Sequence, residues 1–244
     1  MSVDPNRTPT GIDLDEIREI SARKSDVKRW FSVETDSCCF DIVALPTVYF
    51  SDDFGDSRYF ARIVPRYAQG RFLEVGAGTG VVAIAVALTN REVLSCLHEK
   101  FVAVDINGEA VRNVRINAAA CGLRDSIDAR RGDVFSCIDE GERFDTIFWN
   151  HPFHRGRRDE DIVQRACFDP EYQGLEEFFR SGHRYLREGG ALLLGSGNFA
   201  DLGSMNSLAE QHGCELVLRE YTHWPFSAKA GEMKTFNLYE VVQY

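Results

Sequence analysis

From residue 71 onward the chain alternates between two kinds of apolar pattern. Short runs rich in β-formers, at 71–75, 101–105, 127–131, 144–149 and 191–194, read as buried strands. Between them lie segments with helical spacing, at 81–88, 109–121, 176–186 and 202–212. Gly122 and the pair Gly189-Gly190 supply stops for two of these helices. Strands alternating with helices predict a doubly wound α/β fold with a mostly parallel sheet covered on both faces. Two further strands, at 215–221 and 235–242, follow with no helix between them. They bring the sheet to seven strands and predict an antiparallel hairpin at one edge.

The first seventy residues have a different character. Residues 1–11 read as a loose tail. Leu14, Ile17, Ile20, Val27, Trp30 and Phe31 approximate helical spacing, which predicts a helix over 13–31 with Asp13 as its N-cap. Residues 38–50 cluster β-formers around Pro46 and suggest a hairpin or short strands, 51–56 a polar loop. A short helix through Tyr59, Ile63 and Tyr67 follows. Residues 1–69 are therefore expected to form a small helix-and-hairpin extension, and 70–244 the main domain. The long polar stretch 154–170 is expected to be a surface loop.

The chemistry concentrates at the ends of the predicted strands. In Phe72-Leu73-Glu74-Val75-Gly76-Ala77-Gly78-Thr79-Gly80 a strand ends in closely spaced glycines, which let the backbone approach a ligand at the mouth of a helix. The dinucleotide fingerprint GxGxxG is not met, because the third glycine falls one place early and Val81 stands in its position. Asp105 ends the next strand, where an acid can hold both hydroxyls of a ribose. The fourth strand runs into Asn150-His151-Pro152-Phe153. His151 and His154 lack a third ligand at useful spacing, so no metal site is expected.

These blocks, with Val-Asp-Ile-Asn at 104–107 and Gly-Asp-Val-Phe at 132–135, resemble the ordered motifs of class I S-adenosylmethionine-dependent methyltransferases over about residues 70–244. The resemblance implies a Rossmann-like methyltransferase fold and S-adenosylmethionine as cofactor. It implies a cofactor set of Glu74, Gly76, Ala77, Gly78, Gly80, Asp105, Ile106, Asn107, Asp133, Val134 and Asn150. In that set the glycines line the methionine and ribose side, and Asp105 holds the ribose hydroxyls. Ile106 and Val134 pack on the adenine, Asp133 accepts from its amino group, and Asn150 sits beside the transferable methyl.

Residues 150–153 are similar to the Asn-Pro-Pro-Tyr motif of enzymes that methylate planar nitrogens, among them the release-factor glutamine methyltransferases. The resemblance makes Asn150, His151, Pro152 and Phe153 the catalytic candidates. His151 replaces the first proline and is either a polar contact, a base or a plain replacement; Phe153 keeps the ring of tyrosine without its hydroxyl. Tyr49 and Phe54 are candidate ligand contacts from the extension. Glu171, with Glu176 and Glu177 beside it, is a candidate for a cationic substrate.

Composition narrows the recipient. The chain has 244 residues, 38 acidic against 28 basic, for a net charge of −10. Phosphate binding favours clustered positive charge, and Asp159, Glu160 and Asp161 follow directly on Arg155, Arg157 and Arg158. Only about 70 residues precede the glycine loop. Together these favour a planar nitrogen of an amino acid, a small metabolite or a protein side chain as methyl acceptor, with nucleic acid disfavoured as a partner. A ribosomal or transfer RNA base methyltransferase and a non-catalytic cofactor-binding scaffold are the alternatives. The seven cysteines show no CxxC pairing, residues 1–11 carry no apolar core of a signal peptide, and no apolar run is long enough to span a bilayer. A cytoplasmic protein without membrane contact is expected.

Overall fold

The computed structural model describes residues 15, 28–49, 55–91, 99–157, 161–225 and 233–244. It begins with an antiparallel hairpin of β1 (Arg29–Glu34) and β2 (Cys39–Ala44). The helix expected over 13–31 fails at its C-terminal end, since Trp30 and Phe31 lie in β1. Alternation wins there: Phe31 and Val33 are buried, whereas Trp30, Ser32 and Glu34 face out. The rest of that segment lies outside the described residues, Asp15 excepted. Helix α1 (Asp56–Ile63) and a 3-10 turn, Val64–Arg66, follow as the spacing of Tyr59 and Ile63 predicts.

The central sheet is built from β3 (Phe72–Val75), β4 (Phe101–Asp105), β5 (Ile127–Arg131), β6 (Phe144–Asn150), β9 (Leu186–Gly197), β10 (Cys214–Pro225) and β11 (Met233–Gln243). Their spatial order is β10-β11-β9-β6-β3-β4-β5. The run from β5 to β9 is parallel, and β11 enters antiparallel between β9 and β10. This is the expected mostly parallel sheet of seven strands with its terminal hairpin.

Because strand side chains alternate, each strand feeds two cores. Phe72, Phe101 and Phe148 pack on one face with α2 (Val81–Thr89) and α3 (Gly108–Ala120). Leu73, Val102, Ile147 and Trp149 pack on the other with α4 (Gln173–Ser181) and α5 (Leu202–Gln211). A fully buried phenylalanine such as Phe148 contributes about 1.5–3 kcal/mol. Helix α2 is apolar nearly all round because it is enclosed by this core, with Val81–Ala87 buried.

Two readings of the sequence change. Helix α4 ends at Ser181 and passes into a 3-10 turn, Gly182–Tyr185. Gly189 and Gly190 therefore do not stop a helix but lie within β9, where the register against β6 slips between Phe144 and Thr146. A Cβ at Gly190 would sit 3.0–3.2 Å from the main-chain oxygens of Phe144, Asp145 and Arg187, so glycine is what the bulge admits. The stretch 154–170 is also more than a surface loop. Its ends form a parallel ladder of β7 (His154–Gly156) and β8 (Phe168–Pro170), with His154, Phe168 and Asp169 buried.

The hairpin is stitched to the main sheet by two buried asparagines of α3. Asn113 accepts from Leu45 N–H at 2.8 Å and donates to Val43 O at 2.7 Å. Asn117 accepts from Val43 N–H at 2.9 Å and donates to Thr79 O at 2.9 Å. These bonds fix the segment after β2 above the glycine loop. Among the described residues no helix is long and apolar enough to cross a membrane.

Candidate active site

The carboxyl ends of β3, β4, β5 and β6 open into a cavity of about 530 Å³, closed from above by Thr47, Val48 and Tyr49 and bordered by Phe168 and Phe199. That size suits one small-molecule ligand. At its centre the loop after β3 passes through Gly76 at φ 60° and Gly78 at φ 54°. A Cβ on Gly76 would lie 2.6 Å from Trp149 Nε1, and one on Gly78 3.3 Å from Tyr49 O. The glycines thus admit both the left-handed backbone and the close approach of β6 and of the segment above.

Asp105 organises this loop. Its Oδ2 accepts from Gly78 N–H and its Oδ1 from Asn107 N–H, each at 2.8 Å. Burial holds its pKa above the ordinary value despite both bonds. Asn107 lines the cavity, but its side chain is occupied: Oδ1 caps α3 through Glu109 N–H, and Nδ2 donates to Thr47 O at 2.9 Å. Ile106, Asp133 and Val134 line the adjoining wall. Val134 has φ 47°, costly for a β-branched side chain and the kind of strain that gathers at ligand sites.

Glu74 is 3% exposed, and its Oε2 accepts from Ala83 N–H at 2.8 Å in the first turn of α2. Burial pushes its pKa from 4.5 up to about 8. The folded state then holds a proton that the unfolded chain loses above pH 4.5. The resulting stability is complete below that pH and is lost as pH rises through about 8. In the ligand-free protein Tm is expected to fall across this interval, and Glu74→Gln to flatten the fall. Equal slopes in the two melting series would refute a buried proton on Glu74.

At the end of β6, Asn150 Nδ2 donates to Asp56 Oδ2 at 2.9 Å, while Asn150 Oδ1 is buried on the cavity wall with no partner among the described residues. His151 is 2% exposed, its Nε2 lies 3.2 Å from Ser196 Oγ, and burial pushes its pKa down to about 3. Such a ring is a neutral hydrogen-bonding group at physiological pH and a weak proton acceptor. Phe153 stacks on Phe199 with centroids 6.1 Å apart.

The cavity wall brings together Tyr49, Glu74, Gly76, Ala77, Gly78, Asp105, Ile106, Asn107, Asp133, Val134, Asn150, His151, Pro152 and Phe153. Gly80 stands behind it as the N-cap of α2. Phe54 lies outside the described residues. Glu171 does not line the cavity; it is exposed at φ 55° and its carboxylate is paired with Arg155. The substrate contact expected of it is corrected on that ground.

Trp149, Asp169 and Asp56 are among the cavity residues whose roles the sequence reading missed. Trp149 packs its indole on Gly76. Asp169 is 5% exposed and accepts from Gly174 N–H at 3.0 Å and Leu175 N–H at 2.8 Å, capping α4; its signal was an acid a few residues ahead of a helix. Asp56 opens α1 directly after Gly55, also a helix-start signal.

The donors and acceptors of this cavity fit S-adenosylmethionine. Asp105 has lone pairs left for ribose hydroxyls, and the Asp133 carboxyl on the adjoining wall adds a further acceptor.

Comparison with known proteins agrees. The methyltransferase small domain family matches residues 40–219. Ribosomal RNA small subunit methyltransferase C of Cronobacter sakazakii is 31% identical over 181 residues, 73% of this chain and 46% of that protein. The release factor glutamine methyltransferase of Koribacter versatilis is 34% identical over 109 residues, 45% of this chain and 36% of that one. Among solved structures, the T. thermophilus 16S rRNA N2 G1207 methyltransferase in complex with AdoMet and guanosine superposes with a TM-score of 0.57 at 21% identity. That superposition covers 88% of this chain and 50% of the other and speaks for the fold. The chain spans less than half the length of these two curated relatives.

The exclusion of nucleic acid as a partner does not survive this comparison, because relatives matching most of the chain are ribosomal RNA methyltransferases. Net charge sums the whole surface and is silent on where the charges lie. Here Glu74, Asp105, Asp133 and Asp169 line the cavity, and Arg165 lines it with them. The short stretch before the glycine loop sets no limit on substrate size either, since the relatives are much longer than the matched region. The chain belongs to the methyltransferase small domain family, a family of S-adenosylmethionine-dependent methyltransferases.

Proposed function

We propose that the protein transfers a methyl group from S-adenosylmethionine to the exocyclic amine of a guanine in ribosomal RNA. The observation that carries this reading is Asn150 Oδ1, a buried acceptor on the cavity wall that no group among the described residues satisfies. Leaving such an atom unpaired costs about 1–3 kcal/mol, a cost removed when a ligand N–H fills the place. The acceptor class comes from the relatives named for ribosomal RNA, one of them for guanine N2.

In this reading the domain from residue 70 onward holds the cofactor, and Thr47, Val48 and Tyr49 of the preceding extension cover it. Asp105 binds the ribose hydroxyls, Gly76, Ala77, Gly78 and Gly80 the methionine and ribose side, and Asp133 the adenine amino group between Ile106 and Val134. When bound, the cofactor supplies an electrophilic methyl on a sulfonium.

The amine of guanine is a poor nucleophile because its lone pair is delocalised into the ring. Asn150 Oδ1 and the main-chain carbonyl of His151 each accept one N–H, which turns the lone pair toward the methyl and raises electron density on nitrogen. Phe153 lies against the flat base. The nitrogen lone pair forms the new N–CH3 bond, the S–CH3 electrons return to sulfur, and a proton leaves the nitrogen to water. Pro152 limits the freedom of the turn that carries these acceptors. Arg165, which lines the cavity, offers positive charge to the RNA backbone.

The protein incubated with methyl-labelled S-adenosylmethionine and unmethylated small-subunit ribosomal RNA is expected to place label in N2-methylguanosine after nucleoside digestion. Label appearing only in protein or small molecules from a cell extract would overturn the assignment.

A further inference from the structure

We propose that Asp56 is a positioning residue that sets the orientation of the Asn150 amide, oxygen toward the acceptor nitrogen. This rests on the reading of Asn150 as the hydrogen-bond acceptor for the target amine.

An asparagine amide has two chemically opposite ends, an oxygen that only accepts and an NH2 that only donates. A catalytic asparagine with no orienting partner presents the wrong end part of the time, and an NH2 facing the N–H bonds of the target repels it. Asp56 resolves this choice. Its Oδ2 accepts from Asn150, so the NH2 end of the amide is the end that faces it. The bond from Asn150 Nδ2 to Asp56 Oδ2 is 2.9 Å, and Asn150 Oδ1 is thereby turned to the other side.

The fold supports the carboxylate in that role. Asp56 is 3% exposed and is the first residue of α1, after Gly55 in the left-handed conformation at φ 73°. The positive end of the helix dipole favours a negative charge there. Both residues line the cavity, so the pair forms part of its wall. The two positions are 94 residues apart in sequence, and the contact exists only because α1 is laid across the carboxyl end of β6.

Asp56→Asn separates positioning from packing, since it keeps the shape and one acceptor oxygen but adds an NH2 that lets the Asn150 amide flip. In the methylation assay, kcat is expected to fall on the order of 10- to 100-fold. KM for RNA, affinity for S-adenosylhomocysteine and Tm should stay near wild type. Asp56→Ala, which removes the orienting partner outright, should fall at least as far.

In an Asn150→Ala background, Asp56→Asn should have no further effect on kcat, because a residue acting through Asn150 has nothing left to orient. Near-normal kcat in Asp56→Asn with an impaired Asn150→Ala would overturn the proposal and leave Asn150 in place. Loss of cofactor affinity or of folding along with kcat would make Asp56 a structural residue and overturn it too. Full activity in Asn150→Ala would instead sink the functional reading beneath it.

Discussion

Replacing Asn150 with alanine is expected to lower kcat on the order of 10³-fold while S-adenosylhomocysteine binds within about threefold of the wild-type affinity. The split follows from where the side chain is engaged. Its Nδ2 is bonded to Asp56 and its Oδ1 has no partner among the described residues. The only contact that alanine removes from the substrate side is therefore the one to the target nitrogen. That contact matters most as the nitrogen gains positive charge on the way to the methylated product, because its N–H bonds then become stronger donors. An interaction that strengthens in the transition state appears in kcat and not in ground-state binding. Alanine also takes the Nδ2 donor from the buried Asp56 carboxylate, at a cost of about 1–3 kcal/mol in stability, but it leaves the β6 backbone and its pairing to β3 and β9 unchanged. Single-turnover rates beside calorimetric titration separate the two effects. A variant that keeps its rate would reduce Asn150 to a turn residue at a strand end.

How much of this site could be read from the chain depends on what kind of contact each residue makes. Glu74, the glycines, Asp105, Asp133 and Asn150 belong to local units, a strand end plus the turn that follows, and strand-end chemistry is written in consecutive residues. The alternation of strands and helices gave the parallel sheet for the same reason. Asp56 and Trp149 were illegible because their roles lie across the fold: one meets Asn150 from another element, the other fills the space left by Gly76.

Local pattern also misled where two periods overlapped. Trp30 and Phe31 extend a helical spacing, yet Phe31 and Val33 share the buried face of β1, and pairing with β2 decides the outcome. Gly189 and Gly190 look like a helix stop because nothing in sequence distinguishes a stop from a bulge. The exposed Glu171 was singled out for its charge, and tertiary pairing with Arg155 uses it on the surface. Net charge failed for a related reason: it is a sum, and recognition depends on position.

Asp105→Ala should weaken S-adenosylhomocysteine binding by at least about 100-fold, the largest loss of affinity expected from any single side chain of the site. Two contributions add. Hydrogen bonds from ligand hydroxyls to a carboxylate are each worth about 1.5–3 kcal/mol, so losing a pair costs roughly two to four orders of magnitude in Kd. The same carboxylate also holds Gly78 N–H and Asn107 N–H, each at 2.8 Å, and so fixes the loop and the start of α3 before any ligand arrives. Without it the glycine loop must be ordered at the moment of binding, and that entropy is charged to the affinity.

Asp105→Asn separates the contributions, because an amide oxygen can retain one of the two backbone bonds while its NH2 faces the other donor. Its Kd should lie between those of wild type and the alanine variant. The burial that raises the Asp105 pKa in the ligand-free protein gives the comparison a second edge. Removing a desolvated carboxyl also removes its burial cost, so the melting temperature of the variants need not fall with their affinity. Titration calorimetry on the three proteins, with melting curves to show that each is folded, measures the effect. Binding within about threefold of wild type in Asp105→Ala would remove Asp105 from the ribose site, and the acids at Asp133 and Asp169 would then have to be tested for that contact.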